Sequence, residues 1–132
     1  MKNEFVPYDV ALAMKELEFD EPCVAVYYGD YDERDFENGI ALEYRESQYY
    51  AQKGWSKGLL APLYQQAFRW FREEYDMAHE ITYAGAKGRY NAFTDDWVYD
   101  SNGELKKFSY EEAELACLRK LIEIVNQNKE DE

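Results

Sequence analysis

The sequence has little of what metal centres and nucleophilic catalysis require. Its 132 residues include one histidine, His79, and two cysteines, Cys23 and Cys117. A single histidine excludes multi-histidine metal sites within one chain and most charge-relay arrangements. The cysteines lie in apolar surroundings and form no Cys-x-x-Cys pair, so we predict buried free thiols. We therefore predict no catalytic residue, no metal ligand and no cofactor.

Long apolar segments and basic residues are also scarce. No apolar run reaches the roughly 18 residues of a membrane span, and the first ten residues lack the apolar segment of a signal peptide. We therefore expect a cytoplasmic protein without a membrane partner. The chain has 15 Lys and Arg against 28 Asp and Glu, a net charge of −13. Neutralising phosphates requires clustered cations, so this charge argues against a nucleic-acid partner.

Aromatic residues, in contrast, are abundant. The chain contains 13 tyrosines, 7 phenylalanines and 3 tryptophans, and 46% of its residues are hydrophobic. A chain of this length can bury roughly two thirds of its unfolded surface without disulfides or metals. We predict a single domain over residues 1–126, followed by a frayed acidic tail over residues 127–132.

Hydrophobic periodicity and turn signals predict an α+β fold. We expect a mainly antiparallel sheet of about four to six strands, with three helices packed mostly on one face. Residues 45–60 show no clear period and are expected to form a loop or an irregular strand. The predicted helices cover residues 7–17, 61–75 and 110–125, and the predicted strands cover residues 23–28, 40–44, 79–84, 89–93, 97–99 and 105–108.

The apolar stripe of the first helix consists of Val10, Ala13, Met14 and Leu17. Ser109 and Glu112 form a capping-box pattern before the third helix. Gly85 and Gly88 link the strands at 79–84 and 89–93, and residues 100–103 predict a turn between the last two strands.

The second predicted helix has a pronounced aromatic face. Its stripe at helical spacing consists of Tyr64, Ala67, Phe68, Phe71 and Tyr75, which is typical of a helix packed on a core.

Trp70 lies off this stripe, next to Arg69. Because Trp and Arg are enriched at binding hot spots, the pair could anchor a partner protein or a second subunit. The alternative is that Trp70 covers the edge of the same core.

A second candidate surface precedes this helix. Aromatic and basic residues alternate between positions 49 and 58, a chemistry used to stack bases and contact phosphates. The alternatives are a loop that packs Trp55 onto the domain, and a contact with a protein or small ligand. Our predicted interaction residues are Trp70, Arg69, Trp55, Lys53, Lys57, Tyr49 and Tyr50.

The acidic stretch at residues 30–37 could bind a cation through its carboxylates. Its spacing does not fit a calcium-binding EF-hand loop, because Arg34 takes a ligand position and Asp35 replaces the turn glycine. The alternative is a solvated charged loop. His79 also leaves two alternatives: a general base beside Asp76 or Glu80, or a histidine at the surface or helix end.

Several segments resemble a known group of proteins. They comprise residues 5–8, residues 17–23, residues 61–75 and residues 110–118. These segments resemble a family of small uncharacterised acidic proteins from gut Bacteroidetes and their phages or mobile elements. The resemblance implies a common single-domain fold and a mobile-element setting, with no activity, cofactor or catalytic residue to transfer. Glu18 stands where a helix-ending glycine is expected.

Two classes of function follow from these features. The first is a noncatalytic protein-interaction module with an acidic surface and an aromatic contact patch, which binds a protein partner or associates with itself. In one variant its acidic face imitates the phosphate backbone and occupies a nucleic-acid-binding protein. The alternative is a small enzyme or ligand-binding domain with carboxylates and tyrosines in a cleft, which requires convergent polar groups in a pocket.

Overall fold

A computed structural model of the chain describes residues 4–28, 41–43 and 58–131. The chain divides into two compact units, Met1–Gln65 and Gln66–Glu132. The single domain expected over residues 1–126 therefore stays a prediction.

The first unit combines one helix with a three-stranded antiparallel sheet. Helix α1 spans Tyr8–Glu16, and the sheet has the order β2-β1-β3. Tyr27 of β1 stands opposite Leu42 of β2 and Leu59 of β3. The strands are β1 (Val26–Tyr28), β2 (Ala41–Glu43) and β3 (Gly58–Leu60).

Helix α1 packs its apolar side into the interior of this unit. Val10, Met14 and Leu17, three of its four predicted core residues, are buried. The phenol of Tyr27 donates a hydrogen bond to the carbonyl of Val6 inside the unit. The amide of Val6 in turn donates to the carbonyl of Pro62 at 3.0 Å. The segment before α1 is thus tied to the residues that follow β3.

The end of α1 adopts the conformation that usually calls for glycine. Glu18 has a φ of +70°, in the left-handed region. Its amide donates to the carbonyl of Lys15 at 2.9 Å, and the amide of Phe19 donates to the carbonyl of Met14 at 3.0 Å. This pair of bonds is a Schellman motif, which satisfies carbonyls at the helix end. The glycine expected at this position is therefore replaced by a strained glutamate.

The second unit contains a two-stranded sheet and most of the other two helices. Helix α2 spans Tyr64–Tyr75, and α3 spans Tyr110–Glu130. Strands β4 (Glu80–Tyr83) and β5 (Tyr90–Phe93) pair antiparallel. The α+β class is thus confirmed. The predicted sheet of four to six strands is not confirmed, because the five strands of the described residues form two separate sheets.

The segment between β5 and α3 returns along β5 as a turn with isolated bridges. The Asp100 carboxylate accepts hydrogen bonds from the amides of Asn102 and Glu104, and Gly103 has a φ of +79°. The predicted turn is therefore present. The predicted strands at 97–99 and 105–108 are reduced to single bridges, including Tyr99 with Leu105.

Helix α3 begins at the capping box that the sequence predicts. The Ser109 hydroxyl accepts from the amide of Glu112 at 3.2 Å, and the Glu112 carboxylate accepts from the amide of Ser109 at 2.9 Å. The helix continues to Glu130, into the segment 127–132 for which a frayed tail is predicted. Its buried residues are Ala113, Cys117, Leu118, Leu121, Ile122 and Val125. In the part of the chain that the structure describes, no helix is long and apolar enough to cross a membrane.

Candidate functional site

Trp70 is part of the interior and does not form an exposed anchor. Its side chain is 6% exposed. Its ring meets the rings of Phe71 and Tyr75 edge-to-face, with centroids 5.0 and 5.5 Å away. Of the two alternatives for Trp70, the exposed hot spot is contradicted, because the buried face of α2 is wide enough to include this position. Arg69 beside it is exposed.

The other predicted interaction residues lie outside the described residues. This applies to Lys53, Lys57, Trp55 and the tyrosine pair at 49–50. It also applies to the acidic stretch at 30–37. Among the residues that are described, no group of three or more His, Cys, Asp or Glu side chains could hold a metal ion.

His79 packs against an aromatic ring of α2. Its imidazole is stacked on Phe68 with ring centroids 3.6 Å apart and an interplanar angle of 12°. Burial lowers the pKa of His79 below its usual 6.5, and the nearby positive charge of Arg72 lowers it further. The imidazole is therefore neutral at pH 7. This environment matches a histidine at the end of a helix, since the sequence brings it next to α2 through residues 76–78.

Both cysteines are free and buried, as predicted. The Cys117 thiol lies 3.7 Å from the carbonyl of Phe93, and burial raises its pKa to about 11. The Cys23 thiol donates to the carbonyl of Glu21 at 3.3 Å. Because the thiolate is the reactive form, Cys117 is inert at neutral pH.

Three tyrosines of the second unit form a continuous aromatic surface, which we call the tyrosine patch: Tyr83, Tyr90 and Tyr110. The ring centroids of Tyr83 and Tyr90 are 5.9 Å apart, and those of Tyr90 and Tyr110 are 5.3 Å apart. Both contacts are edge-to-face, the arrangement that aromatic quadrupoles favour. Tyr83 is 59% exposed and Tyr110 is 46% exposed, so both ends of the patch face solvent.

Backbone pairing and the helix cap hold the patch in place. Tyr83 and Tyr90 stand directly opposite each other in the β4–β5 ladder. The amide and carbonyl of Tyr90 both bond to Phe108, each at 2.9 Å, on the side away from β4. This bridge ends two residues before Tyr110, the first residue of α3. The capping box then fixes the direction in which the helix leaves.

The phenol of Tyr110 stays protonated at neutral pH. Burial raises the pKa of Tyr110, and the negative charge of Glu114 and the neighbouring Tyr90 raise it further. A protonated phenol can both donate and accept a hydrogen bond, while its ring provides apolar contact. The tyrosine patch can therefore bind mixed polar and apolar surfaces.

Charges of both signs border the patch. The Glu112 carboxylate has a lowered pKa, mainly because Ser109 donates hydrogen bonds to it. The positive charges of Lys106 and Arg89 lower this pKa further. The Lys106 ammonium also lies 5.2 Å from the ring centroid of Phe108. The border of the patch is thus mixed in charge, although the chain as a whole is strongly acidic.

Sequence reasoning missed the tyrosine patch because its members are separated along the chain. Tyr90 and Tyr110 are brought together only by the bridge between β5 and the residues before α3. A partial signal was available, since the predicted strands 79–84 and 89–93 are joined through Gly85 and Gly88. A hairpin with that connection places Tyr83 near Tyr90.

A groove lies near the other end of α3. It has a volume of about 540 Å³, an apolar floor and polar groups on its walls. Leu121 and Val125 of the floor are buried. Asp76, in its wall, has a φ of +53°, a left-handed conformation that aspartate tolerates better than most residues. The groove is lined by Tyr75, Asp76, Met77, Ala78, Thr94, Asp95, Leu121, Ile124, Val125, Asn128 and Lys129.

Comparison with protein-family models, with curated proteins and with solved structures finds no match to this chain. The resemblance to proteins of gut Bacteroidetes and their mobile elements therefore stays a prediction.

Proposed function

We propose that this protein is a noncatalytic protein-interaction module whose contact surface is the tyrosine patch. The observation that carries the proposal is the exposed edge-to-face series of Tyr83, Tyr90 and Tyr110. Tyrosine is enriched at interaction hot spots, since it buries a large ring at low conformational cost and keeps a polar group. The border of Arg89, Lys106 and Glu112 supplies the polar rim that such interfaces have.

The net charge of the chain supports a basic protein as the partner. The chain carries a net charge of −13, which attracts a positively charged protein over a distance comparable to the Debye length. The patch itself has a mixed border, so a partner meets little like-charge repulsion where the two surfaces come into contact. We therefore infer a partner with basic residues around an apolar contact region. A cytoplasmic, mobile-element setting belongs to the same proposal.

The test is affinity purification with matched variants, followed by binding with the purified candidate partner. The Tyr83→Ala, Tyr110→Ala double variant removes the two exposed rings of the patch. Tyr99→Ala is the matched control, because Tyr99 is 50% exposed and its backbone bridges to Leu105, outside the patch. Circular-dichroism melting should show that all variants remain folded.

We expect the double variant to weaken binding of the candidate at least about tenfold, since hot-spot tyrosines contribute roughly 2 kcal/mol or more. Tyr99→Ala should leave the affinity unchanged. Affinity for a basic partner should also fall with added salt. Equal losses in the double variant and the control would reject the patch, and a partner whose affinity does not respond to salt would reject the charge argument.

The groove supports a second candidate function, that of a small-ligand binding domain. Asp76 and Asp95 supply carboxylates beside an apolar floor, and the hydroxyl of Thr94 donates to Asp95 at 3.1 Å. This arrangement suits a small molecule that carries an amine on an apolar body. The sequence leaves a cleft with carboxylates and tyrosines as an alternative, and the presence of Tyr75 in the lining of this groove supports it.

Phenethylamine and cadaverine are suitable probes, with phenethyl alcohol as a neutral control. Binding should shift the amide resonances of Leu121 and Val125 in ¹H–¹⁵N spectra, and Asp76→Asn should weaken it. Shifts of equal size with phenethyl alcohol would show that the carboxylates play no part. The absence of shifts with both amines would dismiss this second function without affecting the tyrosine patch.

A further inference from the structure

One edge of strand β4 is unpaired among the residues that the structure describes. The hydrogen-bonded pairs of an antiparallel ladder alternate, so every second residue of each strand points its amide and carbonyl away from the partner strand. The amide of Ala84 donates to the carbonyl of Arg89 at 2.9 Å, which makes this a bonded pair. Thr82 and Glu80, two and four residues before Ala84, therefore also direct their backbone amides and carbonyls toward β5. Ile81 and Tyr83 point their backbone groups away from it.

The bonds on the far side of β5 agree with this assignment. Tyr90, opposite Tyr83, bonds outward to Phe108, and the carbonyl of Ala92, opposite Ile81, accepts from the amide of Val98 at 3.1 Å. The outer edge of β5 is thus covered. Within the described part of the chain, the outward amides and carbonyls of β4 have no hydrogen-bonding partner.

Apart from its short length of four residues, this edge has little of the usual protection against pairing. Natural edge strands carry lysines, prolines or bulges, or are covered by another element. The two residues of β4 whose backbone groups point outward, Ile81 and Tyr83, are uncharged, and the register with β5 shows no bulge. The only charged residue of β4 is Glu80, at its first position.

We propose that β4 pairs with β4 of a second copy of this chain, antiparallel, about a two-fold axis through Thr82. In this register Ile81 stands opposite Tyr83 of the second copy, and Tyr83 stands opposite its Ile81. The backbone amides and carbonyls of Ile81 and Tyr83 point away from β5 in each copy. In this register each of these amides therefore meets a carbonyl of the other copy. Shifting the axis to Ile81 or Tyr83 leaves part of these groups without a partner inside the strand. Of these three positions, only an axis through Thr82 pairs all of the outward backbone groups of β4.

The side chains fit the same register. Ile81 and Tyr83 form cross-strand pairs of a β-branched and an aromatic residue, and Thr82 meets Thr82, both favoured pair types. Glu80 stands opposite Ala84 of the second copy. The only charged residue of β4 is therefore not placed opposite Glu80 of the second copy. The edge is thus self-complementary in hydrogen bonds and in side-chain type. A second copy suits it better than an arbitrary extended segment.

The pairing also multiplies the contact surface. A two-fold axis perpendicular to the sheet leaves both tyrosine patches on the same face of a continuous four-stranded sheet. The dimer is then a bivalent form of the interaction module, and two linked contacts bind more tightly than one. The pairing needs no partner bound at the patch, since its hydrogen bonds come from the backbone of the β4 edge, although Tyr83 belongs to both surfaces.

The test is a charge swap at Thr82. Thr82→Asp and Thr82→Lys each place two like charges opposite each other at the two-fold axis, where the residues of such a pair approach most closely. An equimolar mixture of the two variants places opposite charges there instead. Ser101→Asp and Ser101→Lys, in the exposed turn after Asp100, are the matched controls. Sedimentation equilibrium over roughly a hundredfold concentration range measures the association, and melting curves verify the fold.

We expect a wild-type dimer whose dissociation constant falls with added salt, because screening reduces repulsion between two acidic chains. Each Thr82 variant should raise that constant roughly fivefold, and the mixture should restore it. The Ser101 controls should match the wild type. A wild-type chain that stays monomeric at every salt concentration would overturn the proposal. So would Thr82 variants that dimerise normally, or a mixture that fails to recover. The Thr82 and Ser101 variants alter no tyrosine of the patch, so binding of a partner to the patch is tested separately.

Discussion

The imidazole of His79 lies parallel to the ring of Phe68, 3.6 Å away, at the point where the chain leaves α2. The only histidine of the chain is thus held as a neutral aromatic ring, because burial and Arg72 both oppose its protonation. Its contribution to folding depends on pH for the same reason.

We predict that His79 makes the protein less stable as the pH falls below about 6.5. The pKa of His79 is lower in the folded than in the unfolded protein, so the unfolded chain binds the proton first. The stabilisation is complete above the unfolded pKa and is lost as the pH falls toward the folded one. His79→Phe keeps the stacked ring and cannot titrate. Urea unfolding at about pH 7.5 and about pH 5.5 should show a larger loss in wild type than in this variant, and equal losses would contradict the prediction.

The sequence predicts those parts of the fold whose signals are local. The capping box at Ser109 and Glu112, the turn at Asn102-Gly103 and the aromatic face of α2 all depend on residues within a few positions of one another. The apolar spacing of α1 and the turn glycines after β4 are signals of the same kind. These elements are confirmed with small shifts of their ends.

Features that depend on tertiary contacts were harder to predict. The position of Trp70 off the apolar stripe suggested exposure, but the buried face of α2 is wider than the stripe. Residues 97–99 and 105–108 have strand-like composition and yet form only isolated bridges. The tyrosine patch unites Tyr83 and Tyr110, which are far apart in the sequence. Hydrophobic periodicity contains no information about contacts between residues that are far apart in the sequence.

We predict that Glu18→Gly stabilises the protein. Glu18 has a φ of +70°, which costs a residue with a Cβ about 1–2 kcal/mol, whereas glycine adopts it freely. The greater freedom of glycine in the unfolded chain offsets about 0.4–1 kcal/mol of that gain. A net increase of about 0.5–1 kcal/mol in the free energy of unfolding should appear in urea titrations. Glu18→Gln is the control, since it removes the charge but keeps the strain; if it matches Glu18→Gly, relief of strain is not the cause.

We predict that Ser109→Ala lowers the free energy of unfolding by about 1 kcal/mol through loss of the cap of α3. The hydroxyl of Ser109 accepts from the amide of Glu112, and no alanine can replace that bond. Ser101→Ala, in an exposed turn, should have little effect and serves as the control. If thermal melting finds the two variants equally stable, the capping box contributes nothing measurable.

The same box should respond to acid. The pKa of Glu112 is lowered in the folded protein, so the stabilisation is complete above the unfolded pKa. It is lost as the pH falls through the pKa of Glu112 in the folded protein. This occurs at a lower pH than the loss of the His79 stabilisation. Glu112→Gln should therefore lose less stability than wild type on acidification from about pH 5 to about pH 3. Parallel curves for the two proteins would show that the carboxylate takes no part in the cap.

We predict that Cys117 reacts with a disulfide reagent such as DTNB only after the protein unfolds. With a pKa of about 11, about one thiol in a thousand is ionised at pH 8, and the thiolate is the nucleophile. The side chain is also buried against the carbonyl of Phe93, so the reagent has no direct access to the sulfur. In a Cys23→Ala background, the reaction in buffer should be at least about a hundredfold slower than in guanidinium, which restores ordinary thiol ionisation. Rapid labelling of the native protein, at a rate unaffected by mild stabilisation such as Glu18→Gly, would show that Cys117 is accessible without unfolding. Labelling that slows in the Glu18→Gly variant would instead identify unfolding as the step that exposes the thiol.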